Sequence, residues 1–158
     1  MTESEQCEGT FLVTAADEDS AVLKDVDTGR VHALSSNPEL ARHDAVEGVV
    51  ASDAPMHVTW QLVEVDERRS VSIECSEESP TKQVRDIAAA QAVGELTREE
   101  RAGVGEIHVL TVPEETTEQA VDDVIDDEEG TLQRAARLGV ERVEIRSAPG
   151  VVSVRYVP

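Results

Sequence analysis

Excess acidic charge constrains the folding of this chain more than any other feature. Asp and Glu number 34 against 14 Lys and Arg, a formal net charge of -20 on 158 residues. A compact state draws those charges together, and their self-repulsion penalises it unless salt screens them. At 1 M salt the Debye length is about 3 Å, short enough to do so. The cations are skewed too: only Lys24 and Lys82 are lysine, and the other twelve are arginine. The expected setting is the cytoplasm of an extreme halophile.

The core must come from small branched side chains. Twenty-four residues are Val, against nine Leu and five Ile, and the aromatics are Phe11, Trp60 and Tyr156. Valine packs well on pleated strands, so a strand-rich core is expected. The regular apolar patterning argues against disorder despite the charge. Nothing approaches the roughly 20 apolar residues of a membrane span, and the acidic start has no signal-peptide pattern. No membrane partner is expected. Cys7 and Cys75 are too few for a disulfide framework or a zinc quartet.

Residues 1–8 are polar and read as a disordered start. Strands follow at 10–15, 20–26, 30–34, 45–52, 57–66 and 69–75, with Asp27-Thr28-Gly29 as a tight turn. In the fifth of these, Val58, Trp60 and Leu62 alternate, and then the phase slips to Val63 and Val65, which predicts a bulge. Residues 9–76 are thus expected to form a small β-barrel, SH3-like or OB-like. The best boundary is 76–80, where Ser79 and Pro80 suit a helix start. Beyond it, 80–158 reads as an α+β domain in the order α-β-α-α-β-β. Thr97-Arg98-Glu99-Glu100 has a capping-box pattern and predicts a second short helical start. A buried strand at 107–112 follows, then helices from Thr116 and over 131–138. A final hairpin joins 142–146 to 151–156.

No motif announces a chemistry. The acidic run Asp122, Asp123, Asp126, Asp127, Glu128 and Glu129 lacks the alternation and central glycine of a calcium loop. A solvated helix face accounts for it. His32, His43, His57 and His108 are scattered without zinc spacing, and His108 lies in an apolar strand as a core histidine would. There is no nucleophile elbow and no catalytic cysteine signature. Gly103-Val104-Gly105 precedes a strand, whereas phosphate-binding glycine loops follow one. No catalytic residue, metal site or cofactor is expected, and the chain reads as a non-catalytic binding or adaptor module. An enzyme assembled from residues distant in sequence is the alternative.

One anomaly stands out. Residues 130–158 hold five arginines against two glutamates, a surplus of three, while the rest carries -23. If Val143 and Ile145 point inward, strand alternation turns Arg142 and Arg146 outward, with Arg155 beside them on the partner strand. Arg134 and Arg137 would join them if their helix packs beside the hairpin. This face is a candidate anion or partner site, for an acidic protein or for RNA or the ribosome. Cross-strand pairing with glutamates explains the same residues without a ligand.

The stretches 105–113 (GEIHVLTVP), 134–140 (RAARLGV) and 150–158 (GVVSVRYVP), together with 9–14 (GTFLVT) and 58–60 (VTW), carry a family likeness. Over nearly its whole length the chain resembles a family of small acidic haloarchaeal proteins known only as a domain of unknown function. The resemblance implies a halophilic cytoplasmic protein and brings no activity, cofactor or functional residue.

Overall fold

Alternating valines build the first five strands of the computed structural model, which describes residues 5–56, 58–101 and 103–158. They are β1 (Gln6–Ala16), β2 (Ala21–Asp25), β3 (Val31–Leu34), β4 (Asp44–Ser52) and β5 (Trp60–Ser70). Hydrogen bonds join them in a closed ring of order β1-β2-β3-β5-β4. Neighbours are antiparallel except β3 and β5, which meet in parallel at Leu34 and Trp60. Phe11, Val13, Leu23, Val46, Val50 and Trp60 fill the interior. β1 starts at Gln6, inside the segment read as disordered, because its backbone pairs with β4 from Gln6 to Leu12. The strand expected from residue 57 begins only at Trp60: Val58 and Thr59 form a bend, and His57 lies outside the described residues.

The predicted phase slip is a pair of bulges. The β4–β5 register shifts between Glu47 and Gly48 and again between Val49 and Val50, leaving Val63 and Asp66 without opposite residues. Val63 and Val65 consequently face solvent. Gly48 permits the close approach there, as a Cβ would collide with the Glu64 carbonyl oxygen.

The chain divides between Val71 and Ser72. The second unit is built on a five-stranded sheet of order β6-β9-β10-β8-β7. Its strands are β6 (Ser72–Cys75), β7 (Leu96–Glu100), β8 (Glu106–Thr111), β9 (Arg142–Ala148) and β10 (Val151–Val157). Its helices are α1 (Lys82–Ala90), α2 (Thr117–Asp126) and α3 (Glu128–Leu138). The molecule is therefore a mixed α+β structure with two five-stranded sheets and, among the described residues, three α-helices. None of those helices is long and apolar enough to cross a membrane.

Four local expectations need correction. β6, grouped by sequence with the first half, pairs in parallel with β9. α1 is capped by Thr81, whose hydroxyl accepts from the Val84 N–H at 3.3 Å, and not by Ser79. Residues 97–100 are strand, not helix: β7 pairs with β8 from Leu96–Leu110 to Glu100–Glu106, and tertiary pairing overrides the local capping pattern. The helix expected over 131–138 starts earlier, so Gly130 lies inside α3. A Cβ there would press on the Asp127 carboxylate.

The final hairpin forms as expected, with Val143 opposite Tyr156 and Glu144 opposite Arg155. Alternation gives the sheet two distinct faces. On one, Val84 and Ala88 of α1 pack on Val109. On the other lie Val143, Ile145, Val152, Val154 and Tyr156, all buried. α3 covers part of that second face, contributing the buried Leu132, Ala135 and Ala136. α2 buries only Thr117.

Candidate functional site

Arg142, Arg146 and Arg155 share the α1-side face of the sheet, as strand alternation requires, but each is matched by a carboxylate. Arg142 pairs with Glu74 at 3.4 Å, and Arg155 with Glu144 at 3.0 Å. Arg146 binds Glu144 closely through Nε and reaches Glu78 at 2.8 Å through its terminal nitrogen. Burial pushes the Glu144 carboxyl up, and the two guanidiniums more than offset this, so it titrates below the usual glutamate range. Three arginines thus meet three glutamates, two of which, Glu74 and Glu78, come from β6 and the loop after it.

Arg134 and Arg137 are not part of that face. They project from α3 on the opposite side of the sheet, where a cleft lies that sequence reasoning missed. α2 stands off the sheet, so Ala120 and Val124 roof a cleft of about 500 Å³ whose floor is Leu110, Val152 and Val154. Its surface is mostly apolar. The gap beneath Ala120 and Val124 is a three-dimensional feature and has no trace in the helical spacing of α2.

The cleft opens onto a polar mouth through His108, Asp127, Thr131 and Tyr156, which line both parts. Arg98, Arg134 and Arg137 complete the mouth. Arg98 comes from β7 opposite His108 in the ladder, so both side chains lie on this face. Arg134 and Arg137 are one helical turn apart. Gly105 helps to set this end: its φ is +109°, and a Cβ would strike the Tyr156 carbonyl oxygen.

Arg134 ties the mouth together. Its Nε donates to His108 Nε2 at 3.3 Å, and its terminal nitrogen lies 3.4 Å from Glu106. Burial and then the Arg134 charge lower the His108 pKa, so the imidazole is neutral at neutral pH and Nε2 accepts. The ring leans on Tyr156 with centroids 4.9 Å apart. Burial raises the Tyr156 pKa, which keeps the phenol protonated as a donor. The mouth therefore brings guanidinium donors together with the Asp127 and Glu106 carboxylates, and its histidine acceptor is already engaged.

Elsewhere the chemistry is sparse. Among the described residues no three His, Cys, Asp or Glu side chains are grouped to hold a metal ion. Cys7 and Cys75 are free thiols. Residues 7–147 match the model of a family of unknown function, DUF5812. The chain belongs to DUF5812. No curated protein and no solved structure matches it significantly. Membership therefore brings no functional residue, and a reading of this DUF5812 chain rests on its own geometry.

Proposed function

We propose that this chain is a non-catalytic binding protein of a halophile's cytoplasm, and that its second unit takes a small molecule into the cleft beneath α2. The observation that carries this reading is the stand-off of α2. α2 leaves Ala120 and Val124 only partly covered above an apolar floor. Water fills such a space poorly, and an apolar ligand would gain by displacing it. Engagement of His108 Nε2 by Arg134 leaves that imidazole ill placed as a general base, which favours binding over catalysis. The RNA or ribosome reading of Arg142, Arg146 and Arg155 has less support, because three glutamates offset their charge.

The test is methyl NMR of Leu- and Val-labelled protein in 2 M KCl, titrated with octanol and with octanoate. Saturable shifts confined to Leu96, Leu110, Val124, Val152 and Val154 are expected for at least one of them. If neither ligand moves these methyls, the binding reading fails.

A further inference from the structure

We propose that the cleft takes an uncharged apolar molecule bearing a carbonyl oxygen, which accepts a hydrogen bond from the Tyr156 hydroxyl while the hydrocarbon body lies under α2. This deepens the small-molecule reading above and rests on it. The observation behind it is a pair of hydroxyls left without partners in the neck where chamber and mouth meet. Tyr156 and Thr131 are only 4% and 6% exposed, and both line the apolar chamber as well as the mouth. Among the described residues neither hydroxyl makes a hydrogen bond to the protein. A hydroxyl drawn out of water without a new partner is unfavourable, so a ligand's polar atom gains there by supplying what the protein does not. Ser153 also carries an unpartnered hydroxyl, but that one is sealed on the α1 side of the sheet, out of reach of a ligand in the cleft.

The kind of polar group follows from the neck and the mouth. Burial raises the Tyr156 pKa, so the phenol keeps its proton and donates. A carbonyl oxygen has two lone pairs and no proton, which matches the phenol, and the Thr131 hydroxyl offers a second donor. Charge is balanced around them. Arg98, Arg134 and Arg137 stand against Asp123, Asp127 and Glu106. Arg134 is already held by Glu106 and His108, and Arg137 has a partner of its own. A net charge on the ligand therefore gains nothing there, least of all in molar salt, where the Debye length is about 3 Å. The apolar floor of Leu110, Val152 and Val154 takes the rest of the molecule. Its burial supplies most of the affinity, and the hydroxyl in the neck selects the oxygen.

Acetophenone, ethylbenzene and benzoate share one ring and differ in the polar group: a carbonyl, none and a carboxylate. Their titration in 2 M KCl, followed by the same methyl shifts, tests this. Acetophenone and ethylbenzene should both bind, and benzoate no more tightly than acetophenone. Tyr156→Phe removes the hydroxyl and keeps the ring. It should weaken acetophenone about fivefold, the loss of one neutral hydrogen bond, and leave ethylbenzene unchanged. That unchanged affinity also shows that the variant keeps its cleft. In the parent protein the infrared carbonyl band of bound acetophenone should lie at the frequency of a hydrogen-bonded ketone, a readout that does not need the variant to fold. A band at the frequency of acetophenone in hexane overturns the proposal. So does tighter binding of benzoate, or an acetophenone affinity that Tyr156→Phe leaves unchanged or lowers only as much as that of ethylbenzene. Each of these leaves an apolar site standing as long as ethylbenzene binds. Absence of binding by acetophenone and ethylbenzene alike removes the underlying reading as well.

Discussion

Arg134 Nε donates to His108 Nε2 at 3.3 Å, so a helix cation and a strand imidazole that are 26 residues apart share one hydrogen bond at the mouth of the cleft. The contact requires neutral His108, and the Arg134 charge helps to keep it neutral. Replacing Arg134 by Met removes that charge but leaves the burial, which is the larger cause. The His108 pKa should then rise towards, but not reach, the ordinary value. An NMR titration of the imidazole checks this, and an unmoved pKa would contradict the coupling.

Glu144 holds both Arg146 and Arg155 with its side chain only 14% exposed. Glu144→Gln keeps the shape and removes the shared charge from two partly buried guanidiniums. A loss of about 1–3 kcal/mol is expected. Asp86→Asn, which breaks the solvent-exposed pair with Lys82, should cost under about 0.5 kcal/mol. Denaturant unfolding in 2 M KCl separates the two. Equal small losses would mean that the glutamates add nothing to the arginine face.

The strands and the hairpin were legible because period-two alternation is local: Val46, Gly48 and Val50, or Val143 and Ile145, declare their inward side without knowledge of a partner. Two features were not. The 97–100 segment carries a helix-start pattern, and only its pairing with β8 makes it a strand. The cleft depends on how far α2 stands from Val152 and Val154, a distance no spacing encodes. The arginine surplus was visible as charge, but its division between two faces of one sheet was not, because the side on which α3 packs is a tertiary property.

His32 should make the first unit sensitive to acid. It is buried between Phe11 and Trp60, with ring centroids 5.7 and 4.5 Å away. Among the described residues neither ring nitrogen has a hydrogen-bond partner. Burial, and then the Arg30 charge, hold its pKa below the ordinary value. The unfolded chain therefore takes up a proton as pH falls below about 6.5, while the folded state does not, and stability drops over that range. Trp60 is the only tryptophan and lies beside His32, so its fluorescence reports on this unit. The unfolding midpoint should fall between pH 7.5 and 5.5, and His32→Leu should flatten that fall. An equally steep decline in the variant would assign the pH dependence elsewhere.

Salt should decide whether the fold persists at all. Exposed pairs such as Arg30–Glu5 and Arg142–Glu74 weaken as salt rises, which on its own would destabilise the protein. Against them stands the mutual repulsion of a -20 chain, which salt also weakens. Exposed pairs contribute little each, about 0–1 kcal/mol, whereas the repulsion involves every uncompensated carboxylate, so its relief dominates. The protein should loosen or unfold below about 0.5 M KCl, where the Debye length again approaches the spacing of surface charges. Its melting temperature should climb from there into the molar range. Sucrose at matched osmolality strengthens burial without screening, and should recover only part of the gain. Circular dichroism melts from 0.1 to 3 M KCl, with and without sucrose, measure both effects. A melting temperature that stays flat across the salt series would show that relief of charge repulsion does not govern the stability of this chain.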